Sequence, residues 1–182
     1  MRRKVMPTAL VLLALMLDTA VIPFLIGGPY VVSLTFIVVL NIAMYMDRMH
    51  GMLYGVIAGL LLDILVGYQL GFHTVIFVSL GFLAGVIAYE PEKVRLRRSS
   101  ARVYLRRGLT VAGMTLLREI VIFGYQYFNV ALISGVYFVN ILIRTLLTTA
   151  LSLPLGVLQA RIILGGGTRY RRAHPKREVR SF

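Results

Sequence analysis

The chain has no cysteine, only seven acidic residues against twenty basic ones, and three histidines scattered at positions 50, 73 and 174. Lack of cysteine excludes disulfides and thiol chemistry without identifying a compartment. The three histidines are far apart and none lies at helical spacing from another histidine, so the sequence predicts no metal site. The nearest approach to a phosphate-binding loop, Gly165-Gly166-Gly167-Thr168, lacks the lysine and the preceding strand. His73 and Asp63 flank a short loop, but no serine there stands in a recognisable nucleophile elbow. Together these absences predict a chain that is not an enzyme and carries no cofactor.

What is present is apolar. Of 182 residues, 58% are hydrophobic and the mean hydropathy is +0.81, well beyond the roughly 45–50% apolar content of soluble domains. The composition is that of a polytopic membrane protein. A net charge of +13 could suggest nucleic-acid binding, but its distribution argues against it. Three basic residues lie at 2–4, one at 48, seven between Lys93 and Arg107, and seven between Arg161 and Arg180. Segments 27–32, 66–71 and 129–134 carry no charge. That alternation is the positive-inside pattern of a protein embedded in a bilayer. The apolar run Val5–Ile26 after the basic N-terminus exceeds a signal-peptide core and ends without a small-residue cleavage site, so it reads as a retained first span.

Hydropathy and helix breakers predict an all-α integral membrane protein of six transmembrane helices, at about 5–26, 30–46, 51–66, 72–89, 108–128 and 134–163. Residues 1–164 form the transmembrane domain, both termini are cytoplasmic, and 165–182 is a basic, disordered tail. The stretch 93–107 reads either as an amphipathic piece on the inner leaflet or as a solvated loop that sets topology. Aromatic residues at 123, 125, 127 and 128 form an interfacial belt.

One stretch stands out. Gly51, Gly55, Gly59, Asp63, Gly67 and Gly71 repeat at four-residue steps. On a helix, each such step rotates by about 40°, so the first four residues mark one slowly winding stripe. Small residues at this spacing let helix backbones approach closely in lipid. Gly55, Gly59, Asp63, Gly67 and Gly71 are therefore the candidate partner-binding or helix-packing site. Asp18, Arg118, Glu119, Asn140 and Arg144 form a candidate intramembrane polar network, because each charge costs roughly 2.5–3.5 kcal/mol at mid-bilayer unless paired. Sequence neighbours point in different directions, so Arg118 and Glu119 are expected not to pair with each other, and Arg118 or Arg144 is expected to face Asp63.

The segment Gly55-x3-Gly59-Leu60-Leu61-x-Asp63-x3-Gly67-x3-Gly71, with Pro29-Tyr30 and Val139-Asn140, resembles the MreD family of bacterial rod-shape-determining membrane proteins. Gly27 and Gly28 depart from the family, which often has a polar residue before the proline. The resemblance implies a non-catalytic scaffold in the bacterial cytoplasmic membrane. It would bind MreC as main partner, support the glycosyltransferase RodA and a class B penicillin-binding protein, act indirectly with MreB, and thereby serve peptidoglycan synthesis and rod shape. It implies contact with the lipid bilayer and none with nucleic acid; a homodimer is also compatible with the pattern. The family is similar in layout to the S components of energy-coupling-factor vitamin transporters, which makes binding of a small molecule the alternative function. Tyr68, Gln69, Tyr125, Gln126 and Asn129 would then supply polar groups at the outer mouth.

Overall fold

The computed structural model describes residues 2–22, 32–66, 70–89, 100–129 and 136–163. All of the regular structure in them is helical: α1 (Arg2–Met16), a π-helical turn (Leu17–Val21), α2 (Leu34–Tyr45), α3 (Arg48–Val66), α4 (Phe72–Ala88), α5 (Ser100–Asn129) and α6 (Val136–Ile163).

Helix α2 lies at the centre. Every residue from Thr35 to Tyr45 is buried, and α2 touches α1, α3, α4, α5 and α6. Phe36 packs on Phe77 of α4 with ring centroids 5.2 Å apart, within a core that also takes Val11 and Ala14 from α1, Ala58 and Leu62 from α3, and Val111 and Met114 from α5. By contrast, α5 and α6 turn leucine-rich faces outward, among them Leu109, Leu116, Leu117, Leu142, Leu146 and Leu151. Hydroxyls on these helices are satisfied locally. Thr110, Thr115, Thr145, Thr148 and Thr149 each donate to the carbonyl four residues earlier, which hides the O–H from an apolar environment.

The protein is an all-α, multi-pass, membrane-embedded bundle, but it does not have six full spans. Among the described residues, three helices are long and apolar enough to cross a membrane: Arg48–Val66, and the segments Leu105–Tyr125 of α5 and Phe138–Gln159 of α6. The other apolar helices, Val5–Val21, Leu34–Tyr45 and Phe72–Ala88, are shorter. At 1.5 Å per residue, the 12 residues of α2 rise only about 18 Å against a hydrocarbon core of about 30 Å. The layout of six full spans is therefore corrected. Hydropathy cannot tell an apolar helix in contact with lipid from one enclosed by protein, and α2 is the second kind.

One further boundary differs from expectation. Residues 100–107, expected to belong to a loop or surface piece, are the first two turns of α5 and continue directly into its apolar segment. Helix α6 runs on through Pro154 to Ile163. The remainder of the basic stretch, 93–99, and the predicted tail 165–182 lie outside the described residues.

Candidate functional site

The glycine stripe is used inside the bundle. Helices α3 and α4 form the most extensive helix pair of the fold, and α3 presents Gly51, Gly55 and Gly59 to α4. A Cβ added at Gly55 would lie 2.7 Å from the Phe77 carbonyl oxygen, and one at Gly59 would lie 2.8 Å from the Thr74 nitrogen and closer still to its Cα. The relation is reciprocal. Gly81 of α4 approaches the Gly51 carbonyl, and Gly85 abuts the Arg48 backbone. At each of these contacts one backbone takes the place of a side chain, so only glycine fits. Gly71 serves differently: it stands at φ 99°, the left-handed region that glycine enters without cost, and turns the chain into α4. Gly67 lies outside the described residues.

Asp63 is not paired with an arginine. Its carboxylate, 1% exposed, accepts from the backbone N–H groups of Gly71 (2.9 Å), His73 (3.0 Å) and Thr74 (3.2 Å), from Thr74 Oγ1 (2.8 Å), and meets His73 Nδ1 at 2.8 Å. These N–H groups belong to the first turn of α4, whose leading donors have no intrahelical acceptor. An anion there satisfies them and sits at the positive end of the helix dipole. The distribution of charge along the chain made an arginine partner reasonable; the tight turn at Gly71 brings the open helix start closer.

Asp18 repeats the device. Its oxygens accept from the N–H groups of Leu34 (2.7 Å) and Thr35 (2.8 Å) and from Ser33 Oγ (3.2 Å), while Ser33 Oγ itself accepts from Phe36 N–H (3.3 Å). The wider π-helical turn at Leu17–Val21 carries Asp18. The first two helix pairs, α1–α2 and α3–α4, are thus each closed by an aspartate near the end of the leading helix that caps the returning one. The available signal was a Ser or Gly just before each returning apolar run, Ser33 and Gly71; the partner across the loop left no periodic trace.

Among the described residues, the arginine–carboxylate pairs converge on Glu119. Arg144 Nη1 lies 3.4 Å from its Oε2 and Arg118 Nη1 lies 3.6 Å from its Oε1, with Glu119 2% exposed. The expectation that Arg118 and Glu119 would not pair is corrected. Arg118 is long enough to fold back along α5, and its guanidinium carbon rests 5.3 Å from the centroid of the Phe36 ring, which anchors it beside the carboxylate. Asn140 is half-buried one turn before Arg144 and outside this cluster.

Sequence reasoning missed a polar contact at the other end of the bundle. Tyr45 Oη donates to the Gly156 carbonyl (2.7 Å) and accepts from Arg107 Nη1 (3.1 Å), with the guanidinium stacked on the tyrosine ring at 4.5 Å. It ties α2, α5 and α6 together, and its residues are too far apart in sequence for any spacing rule to join them. At the Asp63 end, aromatic rings join helices in a similar way, with Phe72 packed on Tyr125 (4.5 Å) and Phe123 on Phe138 (5.4 Å). Gln126 and Asn129, with Tyr68 and Gln69, have side chains outside the described set.

Among the described residues no three His, Cys, Asp or Glu side chains gather to hold a metal. No family model, curated protein or solved structure matches this chain. What the arrangement can do must be read from its own contacts. Asp18, Asp63 and Glu119 each spend their carboxylate on groups of the same bundle, so they act as fasteners between helices.

Proposed function

We propose that this chain is a non-catalytic scaffold of the bacterial cytoplasmic membrane that acts as MreD-family proteins do. In this reading it docks the membrane segment of MreC, and through it supports RodA, a class B penicillin-binding protein and MreB-guided peptidoglycan synthesis. The observation that carries the reading is the use made of the polar groups. The membrane-embedded carboxylates are committed to helix starts and to arginines, which leaves the outward apolar faces of α5 and α6 as the surface available for recognition. The same observation moves the partner face. Gly55 and Gly59 are filled by α4, so a partner helix meets Leu116, Ile120, Leu142 or Leu146 instead.

Photo-cross-linking in cells tests this. A cross-linker at Leu116, Ile120, Leu142 or Leu146 is expected to capture MreC, while one at Ala58, buried on α3, is expected to capture none. Failure at all four outward positions, in protein that inserts normally, overturns the reading. Loss of rod shape on depletion of the chain, restored by the wild-type sequence, is the expected cellular outcome.

A further inference from the structure

Buried polar atoms seldom go without a hydrogen-bond partner, and a cluster of them calls for an explanation. Among the described residues six such side-chain atoms are found, and four belong to the end of the bundle where Tyr45 ties α2, α5 and α6 together: Asn41 Nδ2, Arg107 Nε, Arg107 Nη2 and Gln159 Oε1. Asn41 stands one turn before Tyr45 on α2, and Gln159 follows Gly156 on α6 by about one turn. Asn41 and Gln159 are each 3% exposed. A Cβ added at Gly156 would lie 3.3 Å from both Asn41 Oδ1 and Tyr45 Oη, so glycine there lets the polar groups of α2 come up to the α6 backbone.

Arg107 gives the cluster its sign. Its Nη1 donates to Tyr45 Oη at 3.1 Å and its guanidinium carbon rests 4.5 Å from the centroid of the Tyr45 ring, which fixes the plane of the group. Nε–H and Nη2–H form another edge of that plane, two parallel donors spaced to hold two oxygens of one oxyanion. No described carboxylate reaches this edge: Asp18 and Asp63 cap helices, Glu119 holds Arg118 and Arg144, and Asp47 accepts from the Arg48 N–H. A guanidinium edge withdrawn from water without a counter-charge is a costly arrangement. Donors outnumber acceptors here, so the complement of the cluster is negative and rich in acceptor oxygens. Water would satisfy some of these donors but bring no charge. A carboxylate has two oxygens, both taken by the arginine edge, whereas a phosphate keeps further oxygens for the Asn41 amide. The level agrees. Arg107 lies near the start of the apolar segment Leu105–Tyr125 and Gln159 ends Phe138–Gln159, which puts the cluster at the border between hydrocarbon and headgroups.

We propose that Arg107, with Asn41, Tyr45 and Gln159, forms a binding site for one phosphate group, two of its oxygens on Arg107 Nε and Nη2 and a third on Asn41 Nδ2. This chemistry is common to inorganic phosphate and to the phosphate of a lipid headgroup.

The test is isothermal titration calorimetry of the full chain, delipidated in a neutral detergent, with sodium phosphate and with the short-chain lipid dihexanoyl phosphatidic acid, against sodium chloride at matched ionic strength. One saturable site for a phosphate probe is expected. Phosphate bound at least as tightly as phosphatidic acid assigns the site to the free anion, and tighter phosphatidic acid assigns it to a headgroup. Arg107→Lys keeps the charge but loses the paired donors, and is expected to weaken binding about tenfold or more, the usual worth of a charge-assisted hydrogen bond. Asn41→Leu is expected to weaken it about fivefold, as for a neutral hydrogen bond. Arg106→Gln removes an exposed cation held on the Ile87 carbonyl and is expected to leave binding unchanged, because exposed charge is screened by the salt. Lack of saturable binding of both probes to the wild type overturns the proposal whether or not the variants fold. So does binding that Arg107→Lys leaves intact, or that Arg106→Gln weakens as much, since diffuse positive charge would then suffice.

Discussion

A carboxylate that serves a helix start differs in its tolerance from one that serves an arginine. Asp63 takes hydrogen bonds from three backbone N–H groups, a hydroxyl and an imidazole, so Asp63→Ala strands several donors at once. The expected loss is about 1–3 kcal/mol of stability, the cost of leaving buried donors unpaired, measured by denaturant titration in detergent. Asp63→Asn is expected to recover little, because an amide NH2 would face N–H groups. Combining Asp63→Arg with Arg118→Asp or Arg144→Asp is expected to give no rescue, since neither arginine is the partner. Glu119 presents the opposite case. Glu119→Gln leaves two arginines competing for one neutral group and is expected to cost about 3 kcal/mol, at the low end for breaking a buried ion pair, because Arg118 and Arg144 retain side-chain exposures of 14% and 26%. A larger loss in Glu119→Gln than in Arg144→Gln, by the same titration, is the signature of a carboxylate shared by both.

At the scale of elements, the glycine stripe is a device for bringing two helices together. Gly55→Ala and Gly59→Ala each drive a methyl group into α4 backbone, which cannot move aside as a flexible side chain could. Each is expected to lower stability by about 1–3 kcal/mol, the usual cost of overpacking. Gly59→Leu is expected to prevent α3–α4 packing altogether, read as loss of a folded, monodisperse protein in detergent. Gly113→Ala and Gly124→Ala, on α5, meet nothing within 4 Å and are expected to be neutral. The spacing of the stripe was legible because helical geometry projects every fourth residue onto one face. What faces it was not, because a smooth apolar surface suits a helix of the same chain as well as one of a partner.

At the scale of the whole molecule, the lack of cysteine becomes an experimental convenience, since a single introduced thiol reports alone. Spin labels at Leu142 or Leu146 are expected to be accessible to a lipid-soluble quencher such as oxygen. Labels at Val38 or Leu40 of α2 are expected to be shielded, although hydropathy ranks these positions alike. Equal accessibility at the two sets would mean that α2 faces lipid. Composition and charge distribution alone determined that the chain is helical and lies in a membrane, because both follow from transfer energies summed over many residues. The helical register of the glycines and aspartates was determined in the same way, by local geometry. Tertiary structure alone decided that α2 is enclosed by protein while α5 and α6 turn apolar faces outward, and where each charge finds its partner. Burial by protein and burial by lipid have the same transfer signature, and a hydrogen bond between Asp63 and Thr74, or a meeting of Arg107 with Tyr45, depends on how helices dock across distances that no periodicity records.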